Sequence, residues 1–284
     1  MIPSAFDYVK VTTVDEAVAA LVAAGEDAKV LGGGQSLLPV LRLRLNAPST
    51  IVDISTVAEI RTITDEGSSL LIGAGVTTDE VANNALVKAH APLLSMTADT
   101  VADRAIRHRG TFGGSCAHAD PAGDLPTAAV VLDCEFIIAG PGGRRTVSAA
   151  DFFVDFFTTA VGADEILVAV RVPKADGWGA HYEKFNRTAQ AWAIVGVAAL
   201  VKVDGGVITD ARIALTNMGP KPVRVTSVEA ALKGQPATTD AITAAAATAA
   251  DGSKPTSDVH ADAEFRSHLA RVLTGRAIAT AAGV

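Results

Sequence analysis

Two glycine-rich segments hold the residues best suited to chemistry in this chain. One runs Lys29-Val30-Leu31-Gly32-Gly33-Gly34-Gln35-Ser36-Leu37-Leu38-Pro39. The other runs Gly110-Thr111-Phe112-Gly113-Gly114-Ser115-Cys116-Ala117-His118-Ala119-Asp120-Pro121. Clustered glycines let backbone N–H groups approach a ligand with no Cβ in the way. Successive N–H groups form a concave nest that suits phosphate oxygens. Hydroxyl and amide side chains stand beside both clusters: Gln35 and Ser36 in the first, Thr111 and Ser115 in the second. The pair reads as two loops gripping a diphosphate from two sides.

Competing patterns fit less well. Gly32-x-Gly34-x-x-Leu37 approximates a dinucleotide-binding fingerprint, with Asp53 about 20 residues further on at a strand end. Leu37 replaces the third glycine, however, and Pro39 falls in the first turns of the helix that fingerprint requires. The stretch to Pro48 is also short for a crossover helix. A Walker A loop ends in Gly-Lys-Ser/Thr, and Gly34-Gln35-Ser36 lacks the lysine. Two ligand-free tight turns would leave the flanking polar residues without a purpose.

Other reactive side chains read as structural. His118 has no second ligand at suitable spacing, so a hydrogen-bonded structural role is expected rather than a metal site. His181, His260 and His268 are isolated. Cys116 reads as a small packed residue. Taken alone, Asp124 is a loop acid or helix cap and Lys184 a surface lysine. No nucleophile, general base or metal-ligand set stands out.

The elements that must carry the two segments follow from local signals. Thr13 to Ala24 reads as a helix with a Thr13/Glu16 capping box and Gly25 as its stop. Ala28–Leu31, Ile51–Ile54 and Ser69–Gly73 read as strands. Thr78 to Asn83 begins a helix capped by Thr78. Leu93 to Ile106 reads as one long helix ending in the basic run Arg104 to Arg109, where cations suit a helix C-terminus or face a partner. Thr127–Leu132 is helical. Glu135–Ala139 and Arg145–Val147 form a hairpin across Gly140-Pro141-Gly142-Gly143. Ile166–Val172 is a strand, and Ile194–Val203 and Val207–Leu215 flank a tight Asp204-Gly205-Gly206 turn. Val225–Leu232, Ala241–Ala250 and Ala263–Ala281 read as helices. The texture changes near residue 175. This gives domains 1–175 (lobes of about 1–55 and 56–175) and 176–284, the latter an antiparallel sheet with packed helices.

Composition bounds the function. The chain has 284 residues, 49% apolar and 19% charged, enough for a substantial core of Ala, Val, Leu and Ile. A net charge of −7 argues against a nucleic-acid partner, which needs a basic face. No run reaches the roughly 20 apolar residues of a transmembrane segment, and no signal peptide is visible. The two cysteines, Cys116 and Cys134, match neither zinc nor iron–sulfur spacing. A cytoplasmic chain is expected, at most peripheral at the inner face of the membrane.

Read with their flanks, both segments resemble a known family. Leu31-Gly-Gly-Gly-Gln-Ser-Leu-Leu-Pro39, followed by Arg42-Leu-Arg44, is similar to the first signature of the FAD-binding medium subunit of molybdenum hydroxylases. Thr111-Phe-Gly-Gly-Ser-Cys-Ala-His-Ala-Asp-Pro-Ala-Gly-Asp-Leu-Pro126 is similar to its second. The likeness extends from Phe6-Asp7-Tyr8 through Glu165-Ile166-Leu167 to Tyr182-Glu183-Lys184-Phe185. In texture it resembles the medium subunits of aerobic, molybdenum-containing carbon monoxide dehydrogenases. Medium subunits for xanthine, nicotine and other N-heterocycles or aldehydes are much the same.

The resemblance implies an α+β, two-subdomain FAD-binding fold with a C-terminal antiparallel sheet and helices. It places non-covalent FAD against Lys29, Val30, Leu31, Gly32, Gly33, Gly34, Gln35, Ser36 and Leu37. The other side is implied to be Val101, Ala102, Ile106, Gly110, Thr111, Gly113, Gly114, Ser115 and Ala117, with Asp124, Leu167 and Lys184 as further contacts. Ser115 stands where Asn is usual. Phe112 stands where Ile is usual and is expected to add bulk beside the flavin. The implied role is electron transfer through FAD to an external acceptor such as a quinone or NAD. Electrons would come from the [2Fe–2S] clusters of a small partner subunit, and a large subunit would hold the molybdopterin. The implied assembly is a heterohexamer, two copies of a three-subunit unit. The residues by themselves also admit a stand-alone flavin oxidoreductase, or a scaffold subunit without cofactor.

Overall fold

The computed structural model describes residues 2–284. Its first sheet is three-stranded and parallel, in the order Asp7–Lys10, Thr50–Asp53, Ala28–Leu31. Helix Val14–Ala24 covers it. The Thr13 side chain accepts from Glu16 N, Glu16 reaches back to cap Thr13, and Gly25 ends the helix at φ +79°. Val14, Ala17, Val18 and Leu21 are the buried face of this helix.

The second sheet is antiparallel, in the order Ile63–Asp65, Ser69–Gly73, Ile166–Pro173, Glu135–Gly140, Gly143–Ser148. Between its second and third strands in chain order lies a run of short helices. The expected helix over residues 93–106 is broken. Pro92–Asp99 is helical, and Arg104–Arg107 is a separate turn. Ala102 adopts φ +43°, and the Asp103 carboxylate accepts from Ile106 N, starting a new helix instead of continuing the old one. One cap also shifts by a residue: Thr77, not Thr78, forms the capping box with Glu80.

The third sheet is antiparallel, in the order Gly179–Phe185, Val195–Asp204, Val207–Thr216, Val223–Arg224. Helix Ala263–Ala282 lies across it. A Cβ on Gly179 would come within 1.7 Å of the Ala281 carbonyl oxygen, so glycine permits the close approach. Apolar residues of this sheet fill two cores. Val195, Val197, Ala199 and Ile213 face the C-terminal helices, while Ala198, Leu200 and Ala214 join the core of the middle lobe. Alternate residues of one strand thus bind the sheet to two partners, as the two-residue period of a strand dictates.

Candidate functional site

The first glycine segment leaves strand Ala28–Leu31 and enters the short helix Leu37–Arg42. Pro39 sits within that helix, which is too short to be a dinucleotide-fold crossover helix. Asp53 is not a ribose ligand here. One of its carboxylate oxygens accepts from the Tyr8 hydroxyl, and the other accepts from Ser55 N at 2.8 Å. Gly34 holds φ +76°, a left-handed conformation that favours glycine. Among the described residues, the backbone N–H groups of Gly32 through Ser36 donate to no protein acceptor. The Ser36 side chain makes no capping bond. Gln35 folds back, its amide donating to the Gly33 carbonyl at 3.2 Å.

The second segment is not a loop. Residues Phe112–His118 are a helix, capped by Thr111, whose hydroxyl accepts from Gly114 N at 3.0 Å. Its first N–H groups are engaged: Phe112 N with Val76 O, Gly113 N with Ala74 O, and Ser115 N with Thr111 O. The expected backbone grip by Gly113, Gly114 and Ser115 is therefore corrected. Their glycines serve chain packing instead. A Cβ on Gly113 would meet the Ala74 Cβ at 2.3 Å, and one on Gly114 would meet the Thr111 hydroxyl at 2.6 Å. The hydroxyls of Thr111 and Ser115 remain as the polar groups on this side.

These segments bound one cavity of about 740 Å³. Its wall takes in every nominated residue except Leu31. Leu31 lies beneath the loop, where a Cβ on Gly34 would sit 3.2 Å from its side chain. Phe112 is also displaced from its expected place. It is fully buried in the core of the middle lobe and adds no bulk to the cavity. The wall includes residues that sequence reasoning did not nominate: Asp120, Phe157, Glu165, Gln190 and Trp192. Asp120 and Glu165 lie within the segments that carry the family resemblance, whereas Phe157, Gln190 and Trp192 are marked only by exposure, which is not visible in a sequence.

His118 also lines the cavity. The hydrogen bond expected of it is absent among the described residues, and its ring instead tilts against Phe157 at 5.1 Å between centroids. Burial holds its pKa below the ordinary histidine value, partly opposed by the Asp120 carboxylate. Cys116 and Cys134 are buried free thiols, and burial pushes both well above the usual thiol range.

Asp124 is neither a solvated acid nor a cap. It is the first residue of helix Asp124–Val131, after Gly123 as N-cap, and is buried. Tyr182 donates to one carboxylate oxygen at 2.6 Å, and Lys184 donates to the other at 2.8 Å. Both partners come from the first strand of the C-terminal sheet. Burial raises the Asp124 pKa, and the Lys184 ammonium and the Tyr182 hydroxyl oppose that rise.

A family described as the FAD binding domain in molybdopterin dehydrogenase matches residues 4–175. The CO dehydrogenase flavoprotein C-terminal domain matches residues 180–281. The chain belongs to this FAD-binding flavoprotein family. It is 38% identical over 279 residues to the carbon monoxide dehydrogenase medium chain of Hydrogenophaga pseudoflava, covering 98% of this chain and 97% of that one. It is 32% identical over 277 residues to the glyceraldehyde dehydrogenase medium chain of Sulfolobus acidocaldarius, covering 98% of each. A solved structure of the Hydrogenophaga pseudoflava carbon monoxide dehydrogenase, lacking the Mo-pyranopterin moiety of its cofactor, matches with a TM-score of 0.97. That match has 40% identity and covers 99% of this chain and 98% of that one.

The cavity of this flavoprotein fits FAD on its own evidence. Five successive N–H groups without protein partners, at residues 32–36, supply a nest for phosphate oxygens. Apolar groups from Val101, Ile106 and Leu167 line other parts of the wall, as an aromatic ring system needs. No helix among the described residues is long and apolar enough to cross a membrane.

Proposed function

We propose that this chain is the FAD-carrying electron-transfer subunit of an aerobic, molybdenum-containing carbon monoxide dehydrogenase. The observation that carries the reading is the free N–H nest at Gly32–Ser36, set in a cavity whose wall collects the family's motif residues. The near full-length 38% identity to a carbon monoxide dehydrogenase medium chain supports the choice of enzyme. Bound FAD supplies the redox chemistry; the protein supplies position and electrostatics.

In this reading the Gly32–Ser36 backbone and the Ser36 hydroxyl hold the diphosphate. Thr111 and Ser115 offer hydroxyls across the cavity. Lys184, paired with Asp124, brings a buried cation to the wall. Val101, Ala102, Ile106 and Leu167 exclude water from the ring. The two buried cysteines cannot furnish the four thiolates of a [2Fe–2S] cluster. A small iron–sulfur subunit therefore delivers the electrons, and a large molybdopterin subunit oxidises the substrate. Two such three-subunit units form a cytoplasmic heterohexamer, which passes its electrons to an external acceptor such as a quinone or NAD.

Purification of the native complex tests this. FAD, iron and molybdenum should co-purify with this chain, and carbon monoxide should bleach the flavin absorption. The 32% identity to a glyceraldehyde dehydrogenase chain supports a second reading, in which an aldehyde bleaches it instead. A native protein carrying flavin but neither metal would refute both and identify a stand-alone oxidoreductase.

A further inference from the structure

Behind the cavity wall, a buried hydrogen-bonded chain joins the two halves of the molecule. It starts at Thr127 in helix Asp124–Val131, whose hydroxyl lies 2.7 Å from that of Thr216. The Thr216 hydroxyl is 3.0 Å from that of Tyr182. Tyr182 donates to Asp124, Asp124 also accepts from Lys184, and Lys184 donates again to the Thr100 carbonyl at 3.1 Å.

The site is shaped around this arrangement. A Cβ on Gly196, opposite Lys184 in the neighbouring strand, would lie 2.5 Å from the Tyr182 hydroxyl. Glycine there leaves room for the hydroxyl. Lys184 has three N–H groups. Two have protein acceptors, and Lys184 is among the residues that line the cavity, so one N–H is left without a protein partner. A lone lysine side chain is flexible. Here its aim depends on a carboxylate that Tyr182 and the threonines hold in place.

We propose that Tyr182 is a positioning residue for the cofactor: it fixes Asp124, so that Lys184 presents its remaining N–H to the flavin from the C-terminal sheet. The inference rests on reading the cavity as the FAD site. It adds that the flavin's electrostatic surroundings are set across the junction of the two halves of the molecule. Tyr182 itself does not line that cavity.

A double-mutant cycle on the full chain tests it, using flavin-fluorescence titration for the FAD Kd and spectroelectrochemistry for the midpoint potential. Tyr182→Phe should raise the Kd about tenfold, the scale of one buried hydrogen bond to a charge. It should also lower the potential, because a less firmly held cation favours reduced flavin less. In a Lys184→Met background, Tyr182→Phe should change neither quantity. Equal effects of Tyr182→Phe in both backgrounds would show a merely structural role and overturn the inference. So would values within twofold of wild type in the single variant. Should Tyr182→Phe fail to fold, Thr216→Val removes the threonine contact to the Tyr182 hydroxyl together with its bond to Thr127. It should act in the same direction, more weakly, and again only when Lys184 is present. Wild-type chain that binds no FAD overturns the functional reading itself, before any variant is made.

Discussion

Gly33 lies directly on the carbonyl of Arg109: a Cβ added to Gly33 would come within 2.0 Å of that oxygen. The two glycine segments thus touch each other, and the close approach made possible here is between two stretches of chain. Their packing shapes this part of the cavity wall. The first segment is left with its N–H groups free, and the second supplies the surface on which it rests.

Gly33→Ala should therefore separate the segments. The added methyl meets backbone, which cannot rotate away, so the loop must shift. Overpacking of this kind costs about 1–3 kcal/mol. The shift displaces the Gly32–Ser36 nest, and the FAD Kd should rise by about tenfold or more. Thermal melts and FAD titration of the same preparation check both effects. An unchanged Kd would show that the nest tolerates movement.

Gly34→Ala and Gly25→Ala make a matched pair. Both positions hold positive φ, +76° and +79°, so each alanine should cost about 1–3 kcal/mol of stability. Gly25 ends a helix with nothing within 4 Å of a new Cβ, whereas Gly34 lies in the nest, close above Leu38 and Leu31. Similar losses in Tm are expected, with FAD affinity reduced only in Gly34→Ala. Equal affinity in the two variants would contradict the placement of the diphosphate.

Local signals were legible in the sequence and long-range ones were not. The Thr13/Glu16 capping box, the Gly25 stop and the turn at Asp204-Gly205-Gly206 are written within a few residues, and each forms as read. The motif residues also gather around one cavity. The break at Ala102 was hidden, because its left-handed backbone and the Asp103 cap interrupt an apolar pattern that continues unbroken on either side. The face on which Phe112 lies depends on the strand turn at Ala74–Val76, which takes up the first N–H groups of its helix. The Tyr182–Asp124 bond joins residues 58 apart in the chain, and neither residue carries a local sign of the other.

Both cysteines should be silent in the folded protein. Cys116 and Cys134 are fully buried, and desolvation disfavours the thiolate that a thiol reagent requires. Neither should react with a chromogenic disulfide reagent under native conditions, and both should react in denaturant. Rapid reaction of either thiol in native protein would contradict the packing of the middle lobe.

His118 should make stability and cofactor retention sensitive to mild acid. Burial beside Phe157 disfavours its imidazolium, and the Asp120 carboxylate opposes this only in part. The folded pKa is therefore lowered, and the unfolded chain binds the proton more readily. Stability rises with pH wherever the unfolded state binds more protons. The His118 contribution is complete above the unfolded value of about 6.5 and is lost as pH falls from there toward the folded value. Because His118 lines the cavity, the protonated ring also places a new charge against the site. His118→Gln removes the titration with little change in size. The wild-type Tm should fall more steeply than that of His118→Gln as pH drops below about 6.5, and the FAD Kd should diverge over the same interval. Parallel curves for the two proteins would show that His118 titrates alike in the folded and unfolded states and that the acid sensitivity arises elsewhere.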